Sequence, residues 1–241
     1  KQSRKLCIEK LSDNSYQTLE IPKMNCLGIS FGSPFIFSQR DIDDFNGNLI
    51  NSHGAPLPEF KGGGGFSWRI LQGDKRGSTL MHFVKREIDE GEYVFRRDFL
   101  FDKSERTPRD YEKRQIIEEK KDLIPWIKEI MTGNKKLEKT EVGEVSKMEE
   151  STYFPRLSTE VHGHIDWTNS ALEIEKFILA FSHPYKGAST TVKGKKVRIL
   201  DCSFYKSCNI HPFLFGLILF KGPEKLRVAC KGGIIEIELK D

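Results

Sequence analysis

Short apolar runs, each bounded by turn-forming residues, recur through the first half of the chain. Residues 26–31 (CLGISF) form a continuous apolar run, which is typical of a buried strand in a parallel sheet. Residues 48–52 and 78–84 repeat this pattern, and residues 93–100 (YVFRRDFL) alternate between apolar and polar positions. The pattern therefore predicts a series of strands in this half.

Helical signals lie among these strands. A serine N-cap and early acidic positions predict a short helix at 38–45, and a second short helix is predicted at 66–71, before Gly73. The spacing of apolar residues over 109–131 predicts a long amphipathic helix that begins after a proline and ends before Gly133. Strands and helices in this order predict an α/β domain with a mainly parallel sheet.

The second half has a different pattern. Residues 135–150 are highly charged and are predicted to link a domain at 1–134 to a second domain at 151–241. A capping-box pattern begins a helix at Ser170, which runs through Phe181. Several short apolar segments follow and predict a small β-rich domain; they lie at 190–192, 197–202, 217–220, 226–230 and 234–239.

Composition is that of an ordinary globular protein, because 37% of the 241 residues are hydrophobic and 31% are charged. The longest apolar run, at 212–220, is far shorter than the roughly 20 residues that a membrane helix needs, so no membrane span is expected. The charged first residues (KQSRKLCIEK) predict no signal peptide. Five cysteines without a CxxC spacing favour reduced thiols in a cytoplasmic protein.

The net charge of +4 comes from Lys and Arg residues that are interleaved with Asp and Glu. Such mixed charge lacks the basic stripe of a typical nucleic-acid-binding surface. A small anionic substrate is therefore favoured over a nucleic-acid partner.

Asn51 and His53 stand two residues apart at the end of a predicted strand, in the stretch NSHGAPLPEFKGGGG at 51–65. Residues i and i+2 of a strand face the same side, so the amide and the imidazole are predicted to project together. Ligands of open α/β sheets bind at the carboxyl ends of the strands. The alternative is a pair that only decorates a turn.

Two further features accompany this pair. Asp89 follows the strand at 78–84 in a turn that ends at Gly91, where an acid can orient a histidine or accept a proton. Lys61 and the glycines at 62–65 precede a short helix, an arrangement that suits either an anion site or a tight connector.

Other polar and aromatic side chains are assigned mainly to packing or turns. His82 lies in mid-strand and is interpreted as a packed or hydrogen-bonded side chain, whereas Trp68 fits a core position and a pocket wall equally well. His162 and His164 have no third ligand spaced nearby, so a loop at the domain junction is favoured over a metal site. No metal is predicted.

The order of these features resembles the formyltransferases that use 10-formyltetrahydrofolate. The matching text is SFGSPFIF at 30–37, GNLINSHGAPLPEFKGGGGFSW at 47–68 and EIDEGEYV at 87–94. A further match, HIDWTNSALEIEKFILAFSHPYKGASTTVKGKKVRI at 164–199, is similar to the segment that follows the catalytic domain in methionyl-tRNA formyltransferase and its relatives. The resemblance implies a Rossmann-like catalytic domain and a small C-terminal domain.

Carried over by position, the resemblance implies that Asn51, His53 and Asp89 are catalytic. A substrate amine attacks the formyl carbon, and the Asn51 amide and a protonated His53 stabilise the oxyanion that forms. Asp89 holds His53 or accepts the proton from the attacking nitrogen. Neither a metal nor a covalent enzyme intermediate is required, because positioning and preorganised dipoles lower the barrier.

The resemblance also implies where the substrates bind. Contacts to the folate co-substrate are expected from Ser33, Pro34, Phe35, Phe37, Phe83, Val84 and Ile88. The glycine run before Trp68 is most similar to the sugar N-formyltransferases, which act on nucleotide-linked amino sugars. Contacts to the nucleotide sugar are then expected from Lys61, Gly62, Gly63, Gly64 and Trp68.

The expected reaction is therefore N-formylation of a dTDP- or GDP-linked amino-dideoxy sugar, for a surface polysaccharide such as O-antigen. Formylation of methionyl-tRNA is the alternative within the family, and a non-catalytic binding protein of the same fold is a second alternative. A homodimer is expected only by analogy with the family.

The sequence departs from the family pattern in two places. Only 50 residues precede Asn51, so the first lobe of the catalytic domain is short or incomplete in this sequence. The basic residue after the Leu-Pro turn is usually arginine in the family, whereas Lys61 cannot form a bidentate fork with a phosphate.

Overall fold

The computed structural model describes residues 26–33, 36–138, 152–207 and 209–239. Most of the predicted linker at 135–150 therefore lies outside the described residues. The chain forms two compact units: the first comprises residues 1–61, 78–98 and 118–152, and the second comprises residues 62–77, 99–117 and 153–241. The predicted domain boundaries at 134 and 151 stay a prediction.

The elements follow the predicted order, with a few short additions. The strands are β1 (Gly28–Phe31), β2 (Leu49–His53), β3 (Lys61–Gly62), β4 (Arg76–Phe83), β5 (Tyr93–Leu100), β6 (Tyr153–Phe154), β7 (Ala188–Val192), β8 (Lys195–Ile199), β9 (Ser203–Lys206), β10 (Ile218–Lys221), β11 (Lys225–Cys230) and β12 (Gly233–Glu238). The helices are α1 (Gln39–Asp44), α2 (Gly65–Gln72), α3 (Pro108–Thr132), α4 (Thr159–His162) and α5 (Ala171–Ala180), with a 3-10 turn at Pro212–Leu214. The sequence did not predict β3, β6, β9 and α4, because elements of two to four residues carry too little periodicity to detect.

The strands of the first unit form one sheet with the order β1-β2-β4-β5. β1 pairs with β2 in parallel, whereas β2 pairs with β4 in antiparallel register. The α/β class and the parallel pairing are confirmed, but the described sheet is mixed rather than mainly parallel. Residues 54–75 connect β2 to β4, and β4 begins at the end of the sheet where β2 stops. β4 therefore runs antiparallel to β2.

The second half of α3 packs on the sheet of the first unit. Buried residues of the helix and of three strands form one apolar cluster: Leu123, Trp126, Ile130, Ile50, Met81 and Val94. The helix continues through Pro125. Among the described residues, no helix combines the length and the apolarity that crossing a bilayer requires.

The second unit is rich in strands, as predicted. Its larger sheet has the order β10-β11-β12-β9 with antiparallel pairing, and β7 and β8 form a separate hairpin. Ser170 caps α5, because its hydroxyl accepts from the Glu173 N–H at 3.2 Å. Ile174 and Ile178 of α5 are buried in the core of this unit.

Arg69 of α2 is a fully buried cation in the second unit. Its guanidinium donates to the carbonyls of Gly65 at 3.0 Å and Arg76 at 2.6 Å, and lies 5.2 Å from the ring centroids of Phe66 and Phe101. Burial lowers the pKa of Arg69 to about 10. The buried guanidinium of Arg69 therefore anchors α2, and the sequence pattern of this helix does not show that the charge is buried.

Candidate active site

The three residues predicted to be catalytic come together in the first unit, and a fourth joins them. Asn51 lies opposite His82 in the antiparallel pair of β2 and β4, so the two side chains share one face of the sheet. His53, two residues beyond Asn51, is on that face as well. Asp89 approaches both histidines from the turn after β4.

Short distances connect the four side chains. The Asp89 carboxylate lies 3.6 Å from His53 Nδ1 through Oδ2 and 3.5 Å from His82 Nε2 through Oδ1. The amide nitrogen of Asn51 is 3.4 Å from His82 Nε2. The side chains of His53 and Asp89 are each 12% exposed and that of His82 is 3% exposed. Catalytic hydrogen bonds are often this long until substrate binds.

A tight turn returns Asp89 to the catalytic strands. Because β4 runs against β2, the chain leaves β4 at the start of β2, away from His53. Asp89 adopts a left-handed backbone conformation with φ +55°, which a residue with a side chain rarely adopts. Gly91 permits the turn, because a Cβ on Gly91 would lie 1.6 Å from the Phe83 carbonyl oxygen. The Phe83 N–H also donates to the Glu92 carbonyl at 2.9 Å.

Backbone carbonyls assign the protons of the two imidazoles. His53 Nε2 lies 2.8 Å from the Phe60 carbonyl oxygen, so this nitrogen is the donor and Nδ1 faces Asp89. His82 Nδ1 lies 2.8 Å from the Phe83 carbonyl oxygen, so in the neutral ring Nε2 accepts. His82 can therefore accept one N–H of the Asn51 amide, which leaves the second N–H for another acceptor.

This arrangement suits acyl transfer to a nucleophile. An amide whose orientation is fixed by one hydrogen bond is a preorganised donor for a developing oxyanion. An imidazole that faces a carboxylate can hold a proton, because the carboxylate stabilises the charged ring. The geometry thus supplies both an oxyanion donor and a group that can take up a proton.

A cavity of about 640 Å³ opens in the first unit, at the end of the sheet where β2 begins and β4 ends. Its volume lies in the range of pockets that hold small ligands. The lining residues are Gln39, Ile42, Gly47, Asn48, Phe83, Val84, Lys85, Arg86, Glu87 and Glu92. Phe83 and Val84 are among the predicted co-substrate contacts, whereas Ser33, Phe37 and Ile88 are not part of the lining. Pro34 and Phe35 lie outside the described residues.

The glycine run lies against the segment that follows β6. A Cβ on Gly62 would lie 2.5 Å from the Phe154 carbonyl oxygen, and a Cβ on Gly63 would lie 3.3 Å from Cβ of Arg156. The Trp68 indole donates to the Pro155 carbonyl at 2.8 Å. Glycine is therefore required at Gly62, where the two backbone segments approach closely, and this fits the alternative of a tight connector. Arg156 is exposed to solvent beside the glycine run.

Lys61 differs from the expectation of an open phosphate-binding cation. Its side chain is 7% exposed and its ammonium lies 2.7 Å from the Glu90 carboxylate. A buried ammonium with a carboxylate partner is held in place rather than offered to solvent.

The described residues contain no group of three or more His, Cys, Asp and Glu side chains with the geometry of a metal site. His162 Nδ1 accepts from the Ser158 N–H at 2.9 Å, as expected for a residue of a structured turn. His162 is the last residue of α4, so it lies in a short helix and not in the predicted loop.

Two family models match the chain in the regions that carry these features. The formyl transferase model matches residues 34–127, and the formyl transferase C-terminal domain model matches residues 158–240. The chain belongs to the formyltransferase family. The first model includes the segment with Asn51, His53 and Asp89, and the second includes most of the β-rich region.

Curated relatives of this formyltransferase-family chain include methionyl-tRNA formyltransferases. The enzyme of Akkermansia muciniphila is 29% identical over 210 residues, which are 85% of this chain and 64% of that protein. The enzyme of Lactococcus lactis subsp. cremoris is 26% identical over 238 residues, which are 95% of this chain and 70% of that protein. The chain therefore spans about two thirds of the length of these relatives.

Solved structures confirm the formyltransferase fold. A sugar 3N-formyl transferase, WlaRD, crystallised with dTDP and 5-N-formyl-THF, has a TM-score of 0.63 at 19% identity, and covers 90% of this chain and 73% of its own. The N-formyltransferase of Helicobacter canadensis, in complex with folinic acid and dTDP-3-aminofucose, has a TM-score of 0.64 at 16% identity, with coverage of 88% and 73%.

Sequence reasoning did not assign His82, Phe60 or Glu90 to the site. His82 is a packed and hydrogen-bonded side chain, as interpreted, but its contacts with Asn51 and Asp89 place it in the site as well. Phe60 contributes only a backbone carbonyl, which no residue type reveals. Only the pairing register of β2 with β4 could have identified His82 as a neighbour of Asn51.

Proposed function

We propose that this protein transfers a formyl group from 10-formyltetrahydrofolate to the amino group of a nucleotide-linked amino sugar. The observation that carries the proposal is the convergence of Asn51, His53 and Asp89 at one face of the sheet. Family membership supports the same chemistry.

Each catalytic side chain has a distinct role in the proposed reaction. The new bond forms between the amine nitrogen and the formyl carbon, and the bond between that carbon and the folate nitrogen breaks. Asn51 donates its second amide N–H to the formyl oxygen as charge develops there. His53, which faces Asp89, takes part in the transfer of the proton that the amine loses and the folate nitrogen gains.

The lining of the cavity in the first unit suits part of the folate co-substrate. Phe83 and Val84 supply an apolar wall, and Asn48, Glu87 and Glu92 supply polar groups that can meet a pterin ring. Aromatic and aliphatic walls with a few placed polar groups are typical of small-molecule pockets. We therefore place the pterin in this cavity.

The proposed acceptor is an amino sugar on a nucleoside diphosphate. Structurally similar proteins were crystallised with dTDP or dTDP-3-aminofucose, which makes such a sugar the first substrate to test. In the second unit, Arg156 is exposed beside Gly63, and the half-buried Trp68 donates to the Pro155 carbonyl. An exposed guanidinium suits a diphosphate.

Methionyl-tRNA is the second candidate acceptor, and one observation favours it. The segment from β7 to β9 concentrates basic residues on the second unit, with Asp201 as the one acidic residue between 186 and 206. The basic residues are Lys186, Lys193, Lys195, Lys196, Arg198 and Lys206. Contacts between basic side chains and phosphate groups dominate the affinity of proteins for RNA.

A direct test incubates the purified protein with 10-formyltetrahydrofolate and a panel of acceptors. The panel contains dTDP-, GDP- and UDP-linked amino sugars in one set and methionyl-tRNA in the other. We expect mass spectrometry to detect a formylated product from one class of nucleotide sugar and none from the tRNA. Formylation of methionyl-tRNA alone would establish the second candidate, and no product from any acceptor would contradict formyl transfer.

His82 provides a prediction that is specific to the proposed chemistry. His82→Ala removes the acceptor that orients the Asn51 amide, so kcat is expected to fall roughly 10- to 100-fold with little change in either KM. His82→Gln should retain most of the activity, because its amide oxygen can accept from Asn51.

Steady-state kinetics with both substrates varied checks this prediction for His82. His164→Ala is the matched control, because His164 is an exposed histidine of the second unit. Equal losses in His82→Ala and His82→Gln, or no loss in either, would show that His82 does not act by accepting this hydrogen bond.

A further inference from the structure

We propose that the ion pair between Lys61 and Glu90 is a positioning device for the catalytic turn, and that Lys61 acts through Asp89 rather than on the substrate. The inference rests on the proposed function, since it assigns a role within that reaction. It concerns only residues of the first unit.

The contact itself is short and shielded. Lys61 Nζ lies 2.7 Å from Glu90 Oε1, and the lysine side chain is 7% exposed while that of Glu90 is 36% exposed. Glu90 directly follows Asp89, whose left-handed backbone at φ +55° is an unfavourable conformation for a residue with a side chain. Such a conformation persists when the surrounding structure over-determines it. The ion pair holds Glu90, and Gly91 packs against Phe83, so the two residues that directly follow Asp89 are both fixed.

The chain around Lys61 also holds the other member of the catalytic pair. The carbonyl of Phe60 accepts from His53 Nε2 at 2.8 Å, so adjacent residues hold His53 and the neighbour of Asp89 at the same time. The Lys61 N–H donates in turn to the Thr152 carbonyl at 3.1 Å, which ties this segment to the chain near 152. The segment that contains Phe60 and Lys61 therefore contacts both His53 and the neighbour of Asp89, and so helps to fix the 3.6 Å between His53 Nδ1 and Asp89 Oδ2.

A positioning role and a substrate-binding role for Lys61 predict different kinetics. A cation that binds a diphosphate contributes to the affinity of the nucleotide sugar, so its loss raises the KM for that substrate. A cation that holds the turn contributes to the alignment of Asp89, so its loss lowers kcat. The burial of the Lys61 ammonium against Glu90 favours the second.

The experiment compares Lys61→Met, Glu90→Gln and the double variant with the wild-type protein. A single substitution leaves one charge of the pair without its partner and can impair folding, whereas the double variant removes both charges and keeps the fold testable. We expect kcat to fall roughly 10- to 100-fold in the double variant, with KM for each substrate within about twofold of wild type. The matched control is Lys176→Met with Glu173→Gln, an exposed Lys–Glu pair of α5 at 2.9 Å, which should leave kcat unchanged.

A second measurement separates positioning from a general loss of stability. In an Asp89→Asn background, Lys61→Met should cause little further loss of kcat, because the residue through which it acts is already altered. Lys61→Arg, which keeps the charge, should restore most of the activity.

The outcomes distinguish this inference from the proposed function. No formyl transfer by the wild-type protein would remove the function and the inference together. An active wild type with an unchanged kcat in the double variant would overturn the inference alone. A raised KM for the nucleotide sugar at normal kcat would also overturn it, and would return Lys61 to substrate binding.

Discussion

Asp89→Asn is expected to lower kcat by roughly 100- to 10,000-fold while both KM values change little. Asparagine has the size of aspartate, so the turn is retained, but the carboxylate that faces His53 at 3.6 Å and His82 at 3.5 Å is lost. Without the Asp89 carboxylate, the protonated form of His53 loses the negative charge that stabilises it. Initial rates at saturating concentrations of both substrates measure the effect.

The matched control for Asp89 is Asp201→Asn, which alters a carboxylate that is 64% exposed and pairs with Arg106 at 3.6 Å. This control should keep normal turnover. His53→Ala should lose about as much activity as Asp89→Asn, and the double variant little more, because residues that act as a unit are not additive. Normal turnover in Asp89→Asn would refute the catalytic assignment.

Gly91→Ala should destabilise the protein and inactivate it at the same time. The new Cβ would lie 1.6 Å from the Phe83 carbonyl oxygen, so the turn or the end of β4 must shift. We expect the free energy of unfolding to fall by about 3 kcal/mol, at the upper end of the cost of overpacking. Urea denaturation measures this loss, and formylation assays of the folded fraction measure the displacement of Asp89.

Gly194→Ala is the control for backbone conformation alone. Gly194 has φ +77° and no atom within 4 Å of its added Cβ, so only the cost of the left-handed conformation applies, about 1 kcal/mol. Gly91 does not have a positive φ, so its loss comes from the steric contact with Phe83 and should exceed that of Gly194→Ala. Equal stabilities of the two variants would contradict the close approach of the turn to β4.

The sequence was informative where the determinants are local. The two-residue periodicity of a strand places Asn51 and His53 on one face, and the family motif indicates Asp89. Both expectations agree with the geometry, because each depends on neighbours within a few positions. The capping box at Ser170 and the stop at Gly73 are local in the same sense.

The remaining features depend on contacts between distant parts of the sequence. His82 becomes a neighbour of Asn51 only because β4 runs antiparallel to β2, a direction set by the path of residues 54–75. Glu90 reaches Lys61 across 29 positions, and no periodicity encodes that contact. The sequence shows the charge of Lys61 but not its partner, so the expected contact of Lys61 with the nucleotide sugar stays a prediction.

β2 and β4 pair directly, so the proposed catalytic residues all lie in one short stretch of the sequence, from residue 49 to residue 91. Between the two strands, residues 62–77 leave the first unit and belong to the second. Substitutions at the solvent-facing positions of this segment leave the strands that bear the reactive groups unaltered. Related enzymes could thus come to accept other amines by changing these positions while keeping the same transfer step.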